Sequence, residues 1–261
     1  MIDIGANLTH DSFNKDRQEV ISAAQKAGVS HMIVTGSSMA CSKKAFELSQ
    51  EFPTCLSSTV GIHPHHATEY TADTEELIKH MIQHPQVVAI GETGLDYFRN
   101  FSPQAAQIFS FEQHIKLAID SKAPMFLHQR EAHKDFYPIV REHRDKLSKL
   151  VVHCFTDSKQ ALFDYLDLDC HIGITGWICD ERRGLHLREL VKHIPSNRLM
   201  LETDAPYLLP RDLKLKTRRN EPKYLPHIMQ VVAKLRTTPL QEFKAMINKT
   251  SSNFFGLGES T

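Results

Sequence analysis

Val87-Val88-Ala89-Ile90-Gly91-Glu92-Thr93-Gly94-Leu95-Asp96 is the stretch on which the fold turns. Four apolar residues in succession, two of them Val and one Ile, predict a strand buried on both faces. The strand is expected to end at Gly91, and a carboxylate follows at once. A buried parallel strand that delivers an acid at its carboxyl end is how an α/β barrel builds a site. The pattern recurs: Pro124-Met125-Phe126-Leu127 leads into His128, Leu150-Val151-Val152 into His153, and Leu199-Met200-Leu201-Glu202-Thr203 into Asp204.

Working outward, apolar runs alternate with helical stretches along the whole chain. Helices are predicted over 11–27 (stopped by Gly28), 42–52 (stopped by Pro53), 74–84, 102–121 with Pro103 near its start, 133–149, 157–166, 185–193 and 225–235. Shorter ones follow at 239–247 and 251–254. Strand ends fall near residues 4, 36, 61, 91, 127, 152, 175 and 203, about 30 residues apart, which fits a (β/α)₈ TIM barrel. A doubly wound open sheet is the structural alternative. With no internal repeat, low-complexity segment or linker, residues 1–261 are expected to form one domain.

Composition narrows the function. The 261 residues carry 31 basic and 31 acidic side chains, so no global field recruits nucleic acid or membrane and an anionic substrate must meet a local patch. No apolar run approaches the roughly 18 residues that span a bilayer. Met1-Ile2-Asp3 does not begin a basic-then-apolar leader. Five cysteines without a C-x-x-C pair suit reduced thiols, so a cytoplasmic location is expected.

One Glu, two His and one Asp, each closing its own apolar run, form a ligand set for divalent metal: Glu92, His128, His153 and Asp204. Singly, each also fits a helix cap or a hydrogen-bonded core histidine. Barrel strand ends converge on one mouth, which makes the coincidence chemical. Imidazole with carboxylate suits Zn²⁺ or Mn²⁺, whereas a carboxylate bridging two ions with waters suits Mg²⁺. Asp204 is expected to bind metal or to take a proton from attacking water. His63 and His65 flank Pro64 at the end of the third strand and could ligate metal, contact phosphate or protonate a leaving group.

Taken together, Gly61-Ile62-His63-Pro64-His65, Ile90-Gly91-Glu92-Thr93-Gly94-Leu95-Asp96-Tyr97, His128 after its apolar run, Val152-His153-Cys154-Phe155-Thr156, Ile174-Thr175-Gly176-Trp177 and Glu202-Thr203-Asp204-Ala205-Pro206-Tyr207-Leu208 resemble the motifs of the TatD family. They occur in family order over nearly the whole chain. The resemblance implies an amidohydrolase-like barrel and a divalent-metal-dependent DNase. It further implies Glu92, His128 and His153 as ligands with Asp204 completing the site, and His63 and His65 near the scissile phosphate. Family members commonly open with Asp-x-His-x-His; this chain has Asp3-Ile4-Gly5-Ala6-Asn7, which leaves Gly5 and Asn7 where two imidazoles would bind the first metal. The opening is similar to that of bacterial members for which 3′→5′ exonuclease activity on single-stranded DNA and RNA is implied.

A nucleic-acid substrate also has support of its own. Arg182 and Arg183 follow the seventh strand, and Arg211, Lys214, Lys216, Arg218 and Arg219 follow the eighth, so both charge runs border the mouth. Phe98, Trp177 and Tyr207 lie in loops at the mouth and could stack unpaired bases. The expectation is therefore a monomeric, membrane-independent nuclease. Mg²⁺ is its expected activating ion, one or two being held, with Arg182, Arg183, Arg218, Arg219 and His65 on the substrate and Glu92, Asp204 and His63 at the chemistry. The rival reading is an amidohydrolase or ester hydrolase, such as a D-aminoacyl-tRNA deacylase. A metal-stabilised nucleic-acid binder without catalysis is a third.

Overall fold

Eight parallel strands pair in chain order in the computed structural model, which describes residues 1–258. They are β1 (Ile2–Ala6), β2 (His31–Val34), β3 (Leu56–Val60), β4 (Val87–Asp96), β5 (Met125–Arg130), β6 (Leu150–Val152), β7 (His171–Ile174) and β8 (Leu199–Leu201). Helices α1 (Arg17–Lys26), α2 (Met39–Glu51), α3 (Ala72–Met81), α4 (Gln104–Ser121), α5 (His133–His143), α6 (Lys159–Asp167), α7 (Leu185–Leu190) and α8 (Leu225–Leu235) follow the strands in turn, and α9 (Leu240–Phe255) ends the series. The end of β8 returns to β1: Asp204 N–H donates to Gly5 O (2.9 Å) and Asn7 N–H to Ala205 O (2.7 Å). Ala6 and Ala205 form a parallel bridge there. That return makes a nearly closed barrel and excludes the open-sheet alternative.

Strand alternation sorts the core into two parts. Ile2, Ile4, Ile33, Ala89, Phe126, Val151 and Met200 form the inner cluster, while their strand neighbours Met32, Val34, Met125, Leu127, Leu150, Val152, Leu199 and Leu201 pack outward under the helices. Two residues beyond Phe126, Val151 and Met200 stand His128, His153 and Glu202, so the inward face carries these polar groups to the rim.

β4 breaks the alternation. Its pairing with β5 runs Ile90↔Met125 and then Thr93↔Leu127, three residues against two. This bulge passes the inward face from Ala89 to Glu92 and Asp96. Gly91 and Gly94, both at φ 142°, supply backbone that a side chain would strain. The strand thus continues five residues past its expected end at Gly91.

Two other expectations change. A short 3₁₀ turn, Asp11–Phe13, precedes α1 because His10 accepts from Ser12 N–H, so the α-helix starts later than Asp11. The two short terminal helices are one, since α9 buries Phe243, Ile247, Thr250, Ser251, Phe254 and Phe255 along one continuous face. No helix among the described residues is long and apolar enough to cross a membrane.

α4 also fixes the loop after β3. Buried His114 donates from Nδ1 to Ser110 O (2.7 Å), and its Nε2 accepts from Ile62 N–H (3.0 Å), one residue before His63. Burial lowers its pKa from 6.5 to about 4. Between those values the unfolded chain binds a proton that the folded one refuses. Stability from this group is therefore complete above pH 6.5 and is lost as pH falls towards 4, by roughly 3 kcal/mol. His31 and His171, also lowered to about 4 by burial, add losses of the same sign. Denaturant melts at pH 7 and pH 4.5 are expected to show a smaller acid loss in His114→Gln than in the wild type. Identical losses would refute the assignment.

Candidate metal centre

The bulge in β4 puts Glu92 at the focus of three imidazoles. Its Oε1 lies 2.8 Å from His153 Nε2, 3.1 Å from His128 Nδ1 and 3.3 Å from His63 Nε2. Four residues on, Asp96 Oδ2 sits 3.0 Å from His65 Nε2 and 3.2 Å from His128 Nε2. At the far side His153 Nδ1 lies 3.3 Å from Glu202 Oε2. His128 and His153 are thus each clasped between two carboxylates.

Their electrostatics follow from this packing. Burial works against the charge of Glu92, but His63, His153 and His128 more than offset it and hold the carboxyl well below its usual range. Burial likewise opposes charge on His153 and His128. Glu92 and Glu202 raise the former well above its usual value, and Asp96 and Glu92 raise the latter. His63 goes the other way, lowered to about 4 by burial. Its Nδ1 accepts from His65 N–H (3.1 Å) as the cap of the 3₁₀ turn Pro64–Glu69, which leaves Nε2 directed at Glu92. Asp204, in left-handed backbone at φ 54°, accepts from Asn7 Nδ2 at Oδ1 (3.0 Å). Burial, helped by Glu92 and Glu202 and opposed by His153, raises its pKa to about 7.

The donor set fits a divalent cation. Glu92, Asp96, Glu202 and Asp204 gather four carboxylates around the imidazoles of the rim, and a cation can supply the positive charge that such a set calls for. His63, Glu92 and His128 bring one ligand atom each within 4.8 Å of the others. In that tight group His63 stands where His153 was expected. His153 joins the centre through Glu92, and Asp204 is positioned through Asn7. A second such group, Cys179, Asp212 and His227, belongs to the segments after β7 and β8 and to α8.

Three participants escaped the sequence reading. Asp96 lies beyond Gly91, where the apolar run ends; the i, i+2, i+4 spacing of Glu92, Gly94 and Asp96 is the signal that places it. Asn7 reads only as the residue in place of a family imidazole, whereas its amide orients Asp204. Glu202 read as part of the apolar run. Its carboxylate fills the space left by two glycines: a Cβ on Gly5 would lie 2.4 Å from Glu202 Oε2, and one on Gly173 2.7 Å from Oε1. Where the common motif has an imidazole, this chain places the carboxylate of β8.

The basic residues divide. Arg182, Arg183 and Arg218 line a cleft of about 600 Å³ with Trp177 and Arg211. Arg182 Nη2 pairs there with Asp180 Oδ2 (3.1 Å). Arg219 is directed elsewhere. Its Nη1 and Nη2 donate to Asp16 (2.9 and 2.6 Å), and Nη2 also to Glu221 (3.0 Å). Two carboxylates share its charge and tie it to the start of α1, away from the cleft that Arg182, Arg183 and Arg218 line.

Comparison with known proteins agrees over the full length. The family model for TatD-related DNases matches residues 2–256. A protein named 3′-5′ ssDNA/RNA exonuclease TatD from Citrobacter rodentium is 47% identical over 259 residues, covering 98% of both chains. The crystal structure of a TatD-family hydrolase from Entamoeba histolytica superposes with a TM-score of 0.89 at 28% identity, covering 98% of this chain and 97% of that one. YjjV, a TatD homologue from Escherichia coli K12, gives 0.90 at 25% identity, with 98% of both chains covered. A parallel barrel, a His/carboxylate rim and these matches lead to one conclusion: the chain belongs to the TatD-related DNase family.

Proposed function

We propose that this protein is a divalent-metal-dependent nuclease that shortens single-stranded DNA or RNA from the 3′ end, with Mg²⁺ as its activating ion. The observation that carries the reading is the convergence of His63, His128 and His153 on one oxygen of Glu92 at the barrel mouth. Nearly half of the residues match those of an exonuclease so named, along the entire chain.

Glu92, His63 and His128 would hold the cation. Bound there, it supplies Lewis-acid polarisation of the phosphoryl group and acidifies water. His153 steadies Glu92 at 2.8 Å and is itself held by Glu202. Asp204, aimed by Asn7, receives the proton of the attacking water as its oxygen bonds to phosphorus. The P–O bond to the neighbouring nucleotide breaks, and its oxygen leaves as an alcohol on taking the proton that Asp204 received. Arg182, Arg183 and Arg218 hold flanking phosphates.

A 5′-labelled oligonucleotide, DNA or RNA, is the test. With Mg²⁺ it is expected to shorten in single-nucleotide steps, and with excess chelator to stay intact. Cleavage indifferent to chelation would sink the proposal. So would an inert oligonucleotide beside rapid hydrolysis of a D-aminoacyl-tRNA.

A further inference from the structure

Beside the metal centre lies a cleft of about 460 Å³ between Phe98 and Trp177, with Gln129, Arg130, Asp157 and Arg183 on its walls. We propose that it is a separate nucleotide subsite, holding one unpaired base and a phosphate of the strand away from the scissile bond. The inference rests on the nuclease reading and adds to it where the rest of the strand goes and why longer strands would be preferred.

The lining has the chemistry of single-strand binding. The Arg130 guanidinium lies 3.8 Å from the centroid of the Phe98 ring and 5.9 Å from that of Trp177, and the Arg183 guanidinium is also 5.9 Å from Trp177. Two rings and two planar cations therefore share one space. Rings and guanidinium planes both stack on bases of any identity, and the charge meets phosphate. Phe98 is 48% exposed, so much of this large ring is not used in packing. Trp177 stands on a short 3₁₀ turn (Gly176–Cys179), where its backbone N–H donates to the capping Thr175 Oγ1 (3.2 Å). Also on the lining, Gln129 Nε2 donates to Asp157 Oδ2 (2.9 Å), a polar pair that a base edge could meet.

The cleft is also in register with the centre. On β5, Arg130 follows His128 by two residues and points along the same face. That step is about 6.6 Å of extended strand, a distance comparable with one nucleotide step. Phe98 likewise comes two residues after Asp96. β5 thus brings His128 to the metal centre and Arg130 to the neighbouring cleft, and the turn that follows β4 directly after Asp96 brings Phe98 there. Arg183 and Trp177 also line the larger basic cleft, so the path continues beyond it.

The experiment compares a dinucleotide with an octanucleotide in the presence of Mg²⁺, for the wild type, Phe98→Ala and Arg130→Lys. Phe98→Ala is expected to lower kcat/KM on the octanucleotide by about tenfold, chiefly through KM, as the loss of one base stack should. Dinucleotide turnover is expected to stay within about twofold, because one scissile step needs only the metal centre. Arg130→Lys retains charge but not the stacking plane and is expected to fall between the two. Trp177 is the chain's only tryptophan, so its fluorescence reports the cleft directly. Octanucleotide added to chelated protein is expected to quench it, with weaker binding in Phe98→Ala. Equal losses on both substrates, or binding without quenching, would overturn the subsite. Quenching without cleavage would leave the subsite standing and remove the nuclease reading.

Discussion

Glu92→Gln is expected to lower phosphodiester cleavage by roughly a thousandfold or more, beyond the 10–100-fold typical of partners that only support a ligand. Gln has the same shape but no charge. It also turns one carboxylate oxygen into an N–H donor in a place where three imidazoles converge on Oε1. The variant therefore loses cation affinity and the acceptor that fixes three ring orientations. A structural consequence accompanies the chemical one. Glu92 is the leading partner of the charged form of His153, so without it that buried imidazole keeps only Glu202 and releases its proton more readily. Cleavage of a labelled oligonucleotide and Mn²⁺ binding by calorimetry should fall together, while circular dichroism keeps the barrel signature. Activity within tenfold of the wild type would show that the reaction occurs elsewhere on the molecule.

How far the chain could be read depended on periodicity. Four apolar runs close on Glu92, His128, His153 and Asp204, and eight runs at even spacing describe a barrel, because helix and strand repeats are local properties of sequence. For β5 and β6 strict alternation holds, so an inward Phe126 or Val151 announces an inward His128 or His153. β4 could not be read in this way. Its bulge changes which parity faces inward, and what signals it is the pair of glycines rather than the hydrophobic pattern. Asp96 was lost with it. The role of Glu202 was hidden for another reason: it depends on space above Gly5 and Gly173, two positions far apart in sequence whose only shared property is the lack of a side chain. Arg219 resisted in the same way, since its partner Asp16 lies at the start of α1 and charge runs do not reveal their counterions.

This dependence on glycine makes Gly94→Ala the most damaging small substitution in the barrel. A Cβ at position 94 would lie 1.9 Å from His128 O, and backbone holds the position at φ 142°. Such backbone costs about 1–3 kcal/mol in any other residue. The carbonyl cannot move without breaking the β4–β5 ladder that pairs Gly94 with His128. The combined loss should exceed about 3 kcal/mol, which for a chain of this size lowers Tm by roughly 10 °C. Gly256→Ala serves as the control: φ there is 65°, but nothing lies within 4 Å of the added carbon, so it costs only about 1 kcal/mol. Thermal melts of the two variants separate backbone strain from collision. His128 carries the affected carbonyl, so Gly94→Ala should also weaken cation binding at temperatures where it remains folded, whereas Gly256→Ala should not. Equal Tm losses in the two would mean that β4 yields easily at Gly94, and a bulge that yields could not hold Glu92 under three imidazoles.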